Sequence, residues 1–139
     1  MYRANDNNRT QQRISIYVMS VFNEIPKEQY LLESDYFFVI RDKYPVSPGH
    51  ALIISKRACE HYFDLNEAEK AELTAIIDQT KQAIEKVYSP DGYNIGMNCG
   101  GVAGQTVMHF HCHVIPRYIG DMEDPRGGVR GVIPKCQKY

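Results

Sequence analysis

The stretch HFHCHVIPR, residues 109–117, places a histidine at every second position. Successive side chains of a β-strand point to opposite faces of a sheet, so this spacing predicts a strand with His109, His111 and His113 on one face. The residues that alternate with them are phenylalanine, cysteine and valine, which are apolar and suited to packing against a helix. The three imidazoles are therefore expected on the open face of the sheet.

Length and composition indicate one globular domain spanning residues 1–139. The chain is 43% hydrophobic and 24% charged, with a net charge of −1, which does not favour general nucleic-acid binding. No apolar run of about 18 residues is present, so we expect no membrane segment. The four cysteines form no CxxC pair and are read as reduced thiols of a cytoplasmic protein. Residues 1–13 are expected to form a flexible arm and residues 119–139 an irregular tail.

The rest of the chain predicts an α+β fold, in which a five-stranded antiparallel sheet carries one long helix. Asn66 and Glu69 have the spacing of a capping box, and a helix is expected from about Glu67 to Tyr88. The segment 14–25 is ambiguous between helix and strand. The predicted strands lie within QYLLES (29–34), DYFFVIRD (35–42), HALIIS (50–55), YNIGMN (93–98) and VMHFHCHVIP (107–116).

Two chemistries compete for the histidine strand. A strand rise of about 3.3 Å per residue separates the outer two histidines by roughly 13 Å, too far for both to join a tetrahedral metal site. An adjacent pair aided by His50 or a carboxylate could still bind a metal. Phosphate chemistry is the alternative, because a neutral imidazole is a nucleophile and a protonated one holds an anionic oxygen. The preceding loop GGVAGQT, residues 100–106, offers backbone N–H groups for phosphate oxygens.

The pattern HFHCHVI resembles the signature of the histidine triad superfamily of nucleotide hydrolases and transferases. The resemblance covers roughly Phe22 to the C-terminus. It also includes FNEIP, VIRDKYPVSPGHALIISK, FDLNEAE, the NIGMNCGGVAGQT that precedes the signature, and GDMEDPRGGVRGVIP. It implies the histidine triad fold, a homodimer, and hydrolysis at a nucleotide α-phosphate, with diadenosine polyphosphates as the expected substrates. Hydrolysis of purine nucleoside phosphoramidates by the same residues is the close alternative.

The resemblance also implies a role for each site residue. His111 would attack phosphorus and carry the nucleotide, His113 would bind phosphate oxygens, and His109 and His50 would support them. Asp42 would accept hydrogen bonds from the ribose. The remaining substrate contacts are implied at Asn98, Gly104, Gln105 and Thr106 for the phosphates and leaving group, and at Phe22, Ile25 and Ile40 for a purine base.

At three positions the sequence differs from relatives that bind a structural zinc. Many relatives hold a structural zinc, but the matching positions here are Ser20, Asn23 and Ala58, which are poor zinc ligands, so no metal is expected. No cofactor is required for the covalent step, although a divalent cation could arrive with a polyphosphate substrate. His113 stands where the uridylyltransferase branch has glutamine, which favours hydrolysis over group transfer.

Three questions stay open at the level of sequence. Arg117, Arg126 and Arg130 form a local basic set that could bind distal phosphates. A metalloenzyme using His50, His109 and His111 would need bound metal. A non-catalytic protein would bind the purine nucleotide without turning it over. Neither nucleic acid nor membrane is expected as a partner.

Overall fold

The computed structural model describes residues 22–139, so the predicted arm at residues 1–13 and Ser20 lie outside the described residues. Its five strands form one sheet in the order β1-β2-β3-β5-β4, and every neighbouring pair is antiparallel. The α-helix of the described residues, α1, spans Glu67–Glu85. The strands are β1 (Leu32–Glu33), β2 (Phe37–Arg41), β3 (Ala51–Ser55), β4 (Gly92–Gly96) and β5 (His111–Arg117). The predicted α+β fold is confirmed.

Helix α1 begins at the predicted capping box. The Asn66 side chain accepts the backbone N–H of Glu69 at 2.8 Å, and the Glu69 carboxylate accepts the backbone N–H of Asn66 at 2.9 Å. The helix ends at Glu85, three residues before the predicted end. Beyond that point the N–H groups of Val87 and Tyr88 both donate to the carbonyl of Ile84, so the last turn tightens and the chain leaves the helix.

The two faces of the sheet bury different apolar clusters. On the helix side, Phe110, Cys112 and Val114 join the core with Ile53 of β3 and Ile76 of α1. This confirms the predicted packing of the residues that alternate with the histidines. The opposite face carries a smaller cluster made of Phe22, Phe38, Ile40, Leu52 and Ile54. The histidine side of the sheet is therefore partly covered rather than fully open.

Strand β5 starts at His111, four residues later than predicted. The chain after Ser55 bends away from the sheet, so the ladder between β3 and β5 ends there. The N–H of Phe110 donates instead to the carbonyl of Cys59 at 2.8 Å. His109 consequently lies before the strand and is 1% exposed. The prediction that His109 stands on an open strand face is wrong.

The C-terminal tail contains more regular structure than its glycines and prolines suggested. Two short 3-10 helices span Gly128–Val132 and Pro134–Cys136. The first lies against strand β4, where a Cβ atom on Gly128 would come within 3.3 Å of the Asn94 amide nitrogen. The tail therefore covers part of the histidine side of the sheet.

Candidate active site

The histidine side of the sheet holds a cavity of about 980 Å³, here called the main cavity. This volume is at the upper end of the range for small-molecule sites. Nine of the twelve predicted site residues line the main cavity, and the other three, His50, His109 and Gln105, do not. The nine are Phe22, Ile25, Ile40, Asp42, Asn98, Gly104, Thr106, His111 and His113.

One wall of the main cavity is apolar. Phe22, Ile40 and Leu52 belong to the buried cluster on this face, and Ile25 packs against it. Leu52 was missed by the sequence analysis, although alternation along β3 could have found it. It pairs with His113 across the β3–β5 ladder, and directly paired residues of antiparallel strands share a face.

His111 has one ring nitrogen fixed and the other free. Its Nδ1 lies 2.8 Å from the carbonyl oxygen of His109, which can only accept a hydrogen bond. The proton of the neutral ring therefore resides on Nδ1, and Nε2 keeps its lone pair. Since His111 lines the main cavity, this is an imidazole arranged to act as a nucleophile.

His109 supports this arrangement from a buried position. Its Nε2 donates to the carbonyl of Ser55 at 2.6 Å, and the ring of Phe22 packs edge-on against it at 5.0 Å between centroids. Burial is the main cause that lowers the pKa of His109. The residue is therefore a neutral, anchored side chain whose backbone carbonyl orients His111.

His50 and His113 form a hydrogen-bonded pair beside His111. The backbone N–H of Val46 donates to His50 Nδ1 at 3.0 Å, so the proton of neutral His50 is on Nε2. That Nε2 lies 2.9 Å from His113 Nδ1, which must accept, and the proton of His113 is on its own Nε2. Asp42 Oδ2 lies 3.4 Å from His50 Nε2 and 3.9 Å from His113 Nδ1. His113 thus presents an N–H donor, whereas His111 presents a lone pair.

Burial and neighbouring imidazoles keep this pair uncharged in the absence of ligand. Burial lowers the pKa of His50, and Asp42 offsets part of that effect. Burial, followed by the proximity of His111 and His50, lowers the pKa of His113 to about 4, again with Asp42 opposing the change. An anion bound at this place would favour the protonated form.

The geometry agrees with comparisons to known proteins. The HIT domain family model matches residues 23–120. The chain belongs to the HIT domain family. An uncharacterized HIT-like protein of Methanocaldococcus jannaschii is 38% identical over 78% of this chain and 82% of its own length. Among solved structures, a hypothetical histidine triad nucleotide-binding protein from Sulfolobus tokodaii matches with 34% identity and a TM-score of 0.67, covering 78% of this chain and 72% of that one.

Two relatives of this HIT domain have named activities. A bis(5′-nucleosyl)-tetraphosphatase (asymmetrical) of Schizosaccharomyces pombe is 42% identical over 58% of this chain and 44% of its own. An AP-4-A phosphorylase of Mycobacterium tuberculosis is 36% identical over 72% of this chain and 54% of its own. The chain thus spans about half the length of these curated relatives. No helix among residues 22–139 combines the length and apolar character needed to cross a bilayer.

The position of His50 in this HIT domain depends on the glycine before it. Gly49 has a φ of +90°, and a Cβ atom there would lie 2.9 Å from the Tyr88 ring. Only glycine adopts this conformation readily and leaves room for the tyrosine. The PGH segment therefore fixes the direction in which the His50 ring enters the sheet, although His50 itself is 2% exposed and lines a neighbouring pocket.

Gln105 lies elsewhere than predicted. Its side chain is 3% exposed, donates to the carbonyls of Glu60 and Val107 at 2.6 and 3.1 Å, and accepts the N–H of Gly100 at 2.8 Å. The amide of Gln105 holds the glycine-rich loop against the segment at Glu60, and Gln105 does not line the main cavity. Gly104 and Thr106, on either side, do line the main cavity.

One cluster in the described part of this HIT domain brings three potential metal ligands within 4.8 Å of one another, namely Asp42, His50 and His113. It differs from the set His50, His109 and His111 that a metalloenzyme was expected to use. Its hydrogen bonds also fit a metal poorly. A metal ligand needs a lone pair, but His50 Nε2 carries a proton as long as Nδ1 accepts from Val46. A Zn-bound histidine triad family protein from Mycobacterium smegmatis is similar in fold, with 31% identity, a TM-score of 0.66 and 78% of each chain covered.

The basic set of the C-terminal segment does not reach the main cavity of the HIT domain. Arg117 forms a bidentate ion pair with Asp121, with both N···O distances at 2.8 Å, and donates to Asn94. Arg130 donates to the carbonyl of Cys136, and Arg126 lies 3.7 Å from Asp124. Each of these guanidinium groups has a partner among the described residues.

Proposed function

We propose that this protein hydrolyses nucleotides at the α-phosphate through a covalent intermediate on His111. The observation that carries the proposal is the hydrogen bond from His111 Nδ1 to the His109 carbonyl, which leaves a lone pair on Nε2 in the main cavity. The same bond stabilises the positive charge that the ring acquires when Nε2 bonds to phosphorus.

In the first half of the proposed reaction, His111 Nε2 forms a bond to the α-phosphorus and the bond to the leaving group breaks. The leaving atom keeps the electron pair of the broken bond and takes the Nε2 proton of protonated His113. In that protonated form His113 Nδ1 also carries a proton, which it directs toward Asp42 Oδ2 instead of accepting from His50. The phosphate supplies the negative charge that favours this protonation, and Asp42 Oδ2 at 3.9 Å from His113 Nδ1 is a second counter-charge.

In the second half, neutral His113 accepts a proton from water as the water oxygen attacks phosphorus. The phosphorus–nitrogen bond breaks and its electron pair returns to His111 Nε2. The products are a nucleoside monophosphate and the protonated leaving group, so one water is consumed per substrate. The positively charged imidazole is a good leaving group because breaking the bond restores a neutral ring.

The rest of the main cavity would hold the nucleoside. Asp42 is proposed to accept hydrogen bonds from the ribose, since its carboxylate lines the main cavity next to the histidine pair. Phe22, Ile25 and Ile40 would contact a purine base, with Leu52 as a further contact. An apolar wall of this kind selects a base by shape rather than by hydrogen bonding.

Dinucleoside polyphosphates are the substrates that we propose first, with purine nucleoside phosphoramidates as the alternative. Support comes from the names of the S. pombe and M. tuberculosis relatives, which refer to nucleosyl tetraphosphate and AP-4-A. No cofactor is proposed for the covalent step, and a divalent cation would enter only with the polyphosphate. Lys43 is a basic residue on the lining of the main cavity and is a candidate for contact with phosphates.

We also propose a homodimer. Strand β4 is at one edge of the sheet, and within residues 22–139 its outer side has no partner strand. An edge with free backbone groups is a natural surface for pairing with a second copy. Light scattering should give twice the mass of the 16.0 kDa chain, and a mass of one chain at micromolar concentration would contradict the dimer.

A substrate panel tests the proposed activity. The purified protein should release AMP from diadenosine tri- and tetraphosphate or from adenosine phosphoramidate, and its rate on the phosphoramidate, which brings no cation, should not depend on chelator. AMP binding without turnover of any of these substrates would favour the non-catalytic reading. Phosphoramidate cleavage lost to chelator and restored by metal would favour the metalloenzyme.

A further inference from the structure

Residues 46–50, directly before strand β3, close around the His50 ring and are here called the His50 loop. The backbone N–H of His50 donates to the carbonyl of Ser47 at 3.2 Å, and the N–H of Val46 donates to His50 Nδ1 at 3.0 Å. Because Nδ1 is held by the loop, Nε2 points to His113 Nδ1, 2.9 Å away. The position of the His50 loop therefore decides how His50 meets His113.

The side chain of Ser47 fixes the His50 loop to strand β5. The ladder between β3 and β5 ends at the pair Ala51–Val114, so strand β3 offers no donor to the carbonyl of Pro116 further along β5. The Ser47 hydroxyl donates to this carbonyl instead, and both residues are buried. A buried carbonyl needs a donor, so this hydrogen bond holds the loop at a defined place on the sheet.

Two tyrosines hold the same loop from other directions. The Tyr118 hydroxyl donates to the carbonyl of Pro48 at 2.7 Å. The Tyr88 ring lies against Gly49, and the Arg41 guanidinium donates to the Tyr88 hydroxyl at 3.1 Å. Neither tyrosine lines the main cavity, so their contacts act on the loop and not on a ligand there.

We propose that Ser47 and Tyr118 are positioning residues for the proton transfer by His113, because they hold the His50 loop where His50 donates to His113 Nδ1. The inference rests on the proposed function, since it concerns the proton that the leaving atom takes. While His113 is neutral, the His50 Nε2–H fixes its ring with Nε2 toward the ligand side. If His50 turned away, the His113 ring would be free to rotate about its Cβ–Cγ bond. A misaligned donor transfers its proton poorly.

A misplaced proton donor has a specific kinetic effect. An amine must be protonated to leave phosphorus, whereas a nitrophenolate leaves without a proton. Adenosine phosphoramidate and the nitrophenyl ester of AMP share the adenosine and the α-phosphate, so nucleoside contacts are the same for both. Loss of positioning should therefore slow cleavage of the phosphoramidate and spare the ester, whereas a general loosening of the site would slow both.

The test removes one hydroxyl at a time. Ser47→Ala and Tyr118→Phe each delete one hydrogen bond to the His50 loop or from it to strand β5. Tyr93→Phe is the matched control, because the Tyr93 hydroxyl donates to Glu85 at 3.1 Å and touches neither the loop nor the main cavity. Values of kcat/KM, which report the steps up to departure of the leaving group, are measured for both substrates. NMR of protein with 15N-labelled histidine reports whether His50 Nδ1 keeps its hydrogen bond.

Ser47→Ala and Tyr118→Phe should each lower kcat/KM for the phosphoramidate by about fivefold or more, a part of the whole effect of a general acid, and change that for the ester less than about twofold. The His50 Nδ1 signal should move in both variants and stay in place in Tyr93→Phe, which should match the wild type on both substrates. An equal loss on both substrates, no loss on the phosphoramidate, or an unmoved His50 signal would overturn the inference while the proposed function stands. Failure of the wild type to cleave either substrate would overturn the proposed function itself, and the inference with it.

Discussion

The Nε2 atom of His50 lies 2.9 Å from the Nδ1 atom of His113, and the backbone N–H of Val46 fixes the direction of this hydrogen bond. His50 donates and His113 accepts, so His113 turns an N–H toward the ligand side. His111, two residues earlier on the same strand, has the opposite arrangement of hydrogen-bonding groups, with its proton on Nδ1 and a lone pair on Nε2. Two histidines of one strand therefore present opposite hydrogen-bonding groups because different neighbours contact them, which is the basis of the donor and nucleophile roles that we propose.

The low pKa of His113 predicts a pH dependence of stability. Burial, His111 and His50 lower that pKa to about 4, whereas an unfolded histidine titrates near 6.5. Between these values the unfolded chain binds more protons, so the free energy of unfolding should decrease as pH falls from about 6.5 toward 4. The pKa values of His50 and His109 are also lowered by burial and act in the same direction.

Urea denaturation at pH 7.5 and pH 5.0 measures this effect. The wild type should lose on the order of 1–2 kcal/mol at the lower pH from His113. His113→Asn should lose less, and His61→Asn is the control in which the wild-type loss is retained. Equal stability of the wild type at both pH values, or the same loss in His113→Asn, would refute the assignment.

Gln105 is predicted to act on the loop rather than on the substrate. Gln105→Ala would leave the carbonyls of Glu60 and Val107 and the N–H of Gly100 without their partner, which should cost about 1–3 kcal/mol of stability. Thermal and urea denaturation test this directly. A variant with wild-type stability and a large fall in kcat/KM would instead show that Gln105 contacts the substrate.

Asp42 is predicted to hold the ribose. Asp42→Ala should weaken AMP binding by about 1–3 kcal/mol, the scale of hydrogen bonds to a charged group. Calorimetry with AMP and with 2′,3′-dideoxy-AMP separates this role from an effect through His50, 3.4 Å away. The variant should bind both ligands equally, whereas the wild type should prefer AMP. Unchanged AMP affinity would remove Asp42 from the ribose site.

The absence of structural zinc remains a prediction from the sequence. Asn23 and Ala58 offer no zinc ligand, and Ser20 at the third position lies outside the described residues. Elemental analysis after dialysis should find far less than one zinc per chain. One zinc per chain in the wild type that disappears in His50→Asn would place a metal at Asp42, His50 and His113 and contradict the account.

The sheet and the helix could be predicted because they depend on local periodicity, whereas the residues of the main cavity followed from the resemblance to the histidine triad superfamily. Alternation placed His111 and His113 on one face, and the capping pair Asn66–Glu69 located the start of the helix. The burial of His109 could not be read in the same way. It depends on where the neighbouring strand β3 ends, and periodicity along β5 contains no information about its partner.

Two further features could not be predicted from the sequence, for related reasons. An amide side chain in a glycine-rich loop can form hydrogen bonds with a phosphate or with the protein backbone. Gln105 points inward because the segment at Glu60, far away in sequence, supplies an acceptor for its amide. The 3-10 helix Gly128–Val132 lies against strand β4, and no local pattern predicts that long-range contact. The features that the sequence did not reveal therefore lie where tertiary contacts, rather than neighbours in sequence, decide the side-chain environment.

The most direct test of the central claim is to trap the nucleotide on the protein. Rapid mixing with excess substrate, quenching at alkaline pH where phosphorus–nitrogen bonds to histidine survive, and peptide mass analysis should show one nucleotidyl group on His111. His111→Ala should fold normally, show no adduct and lose nearly all turnover. Normal turnover by His111→Ala, or an adduct on a different histidine, would contradict the account.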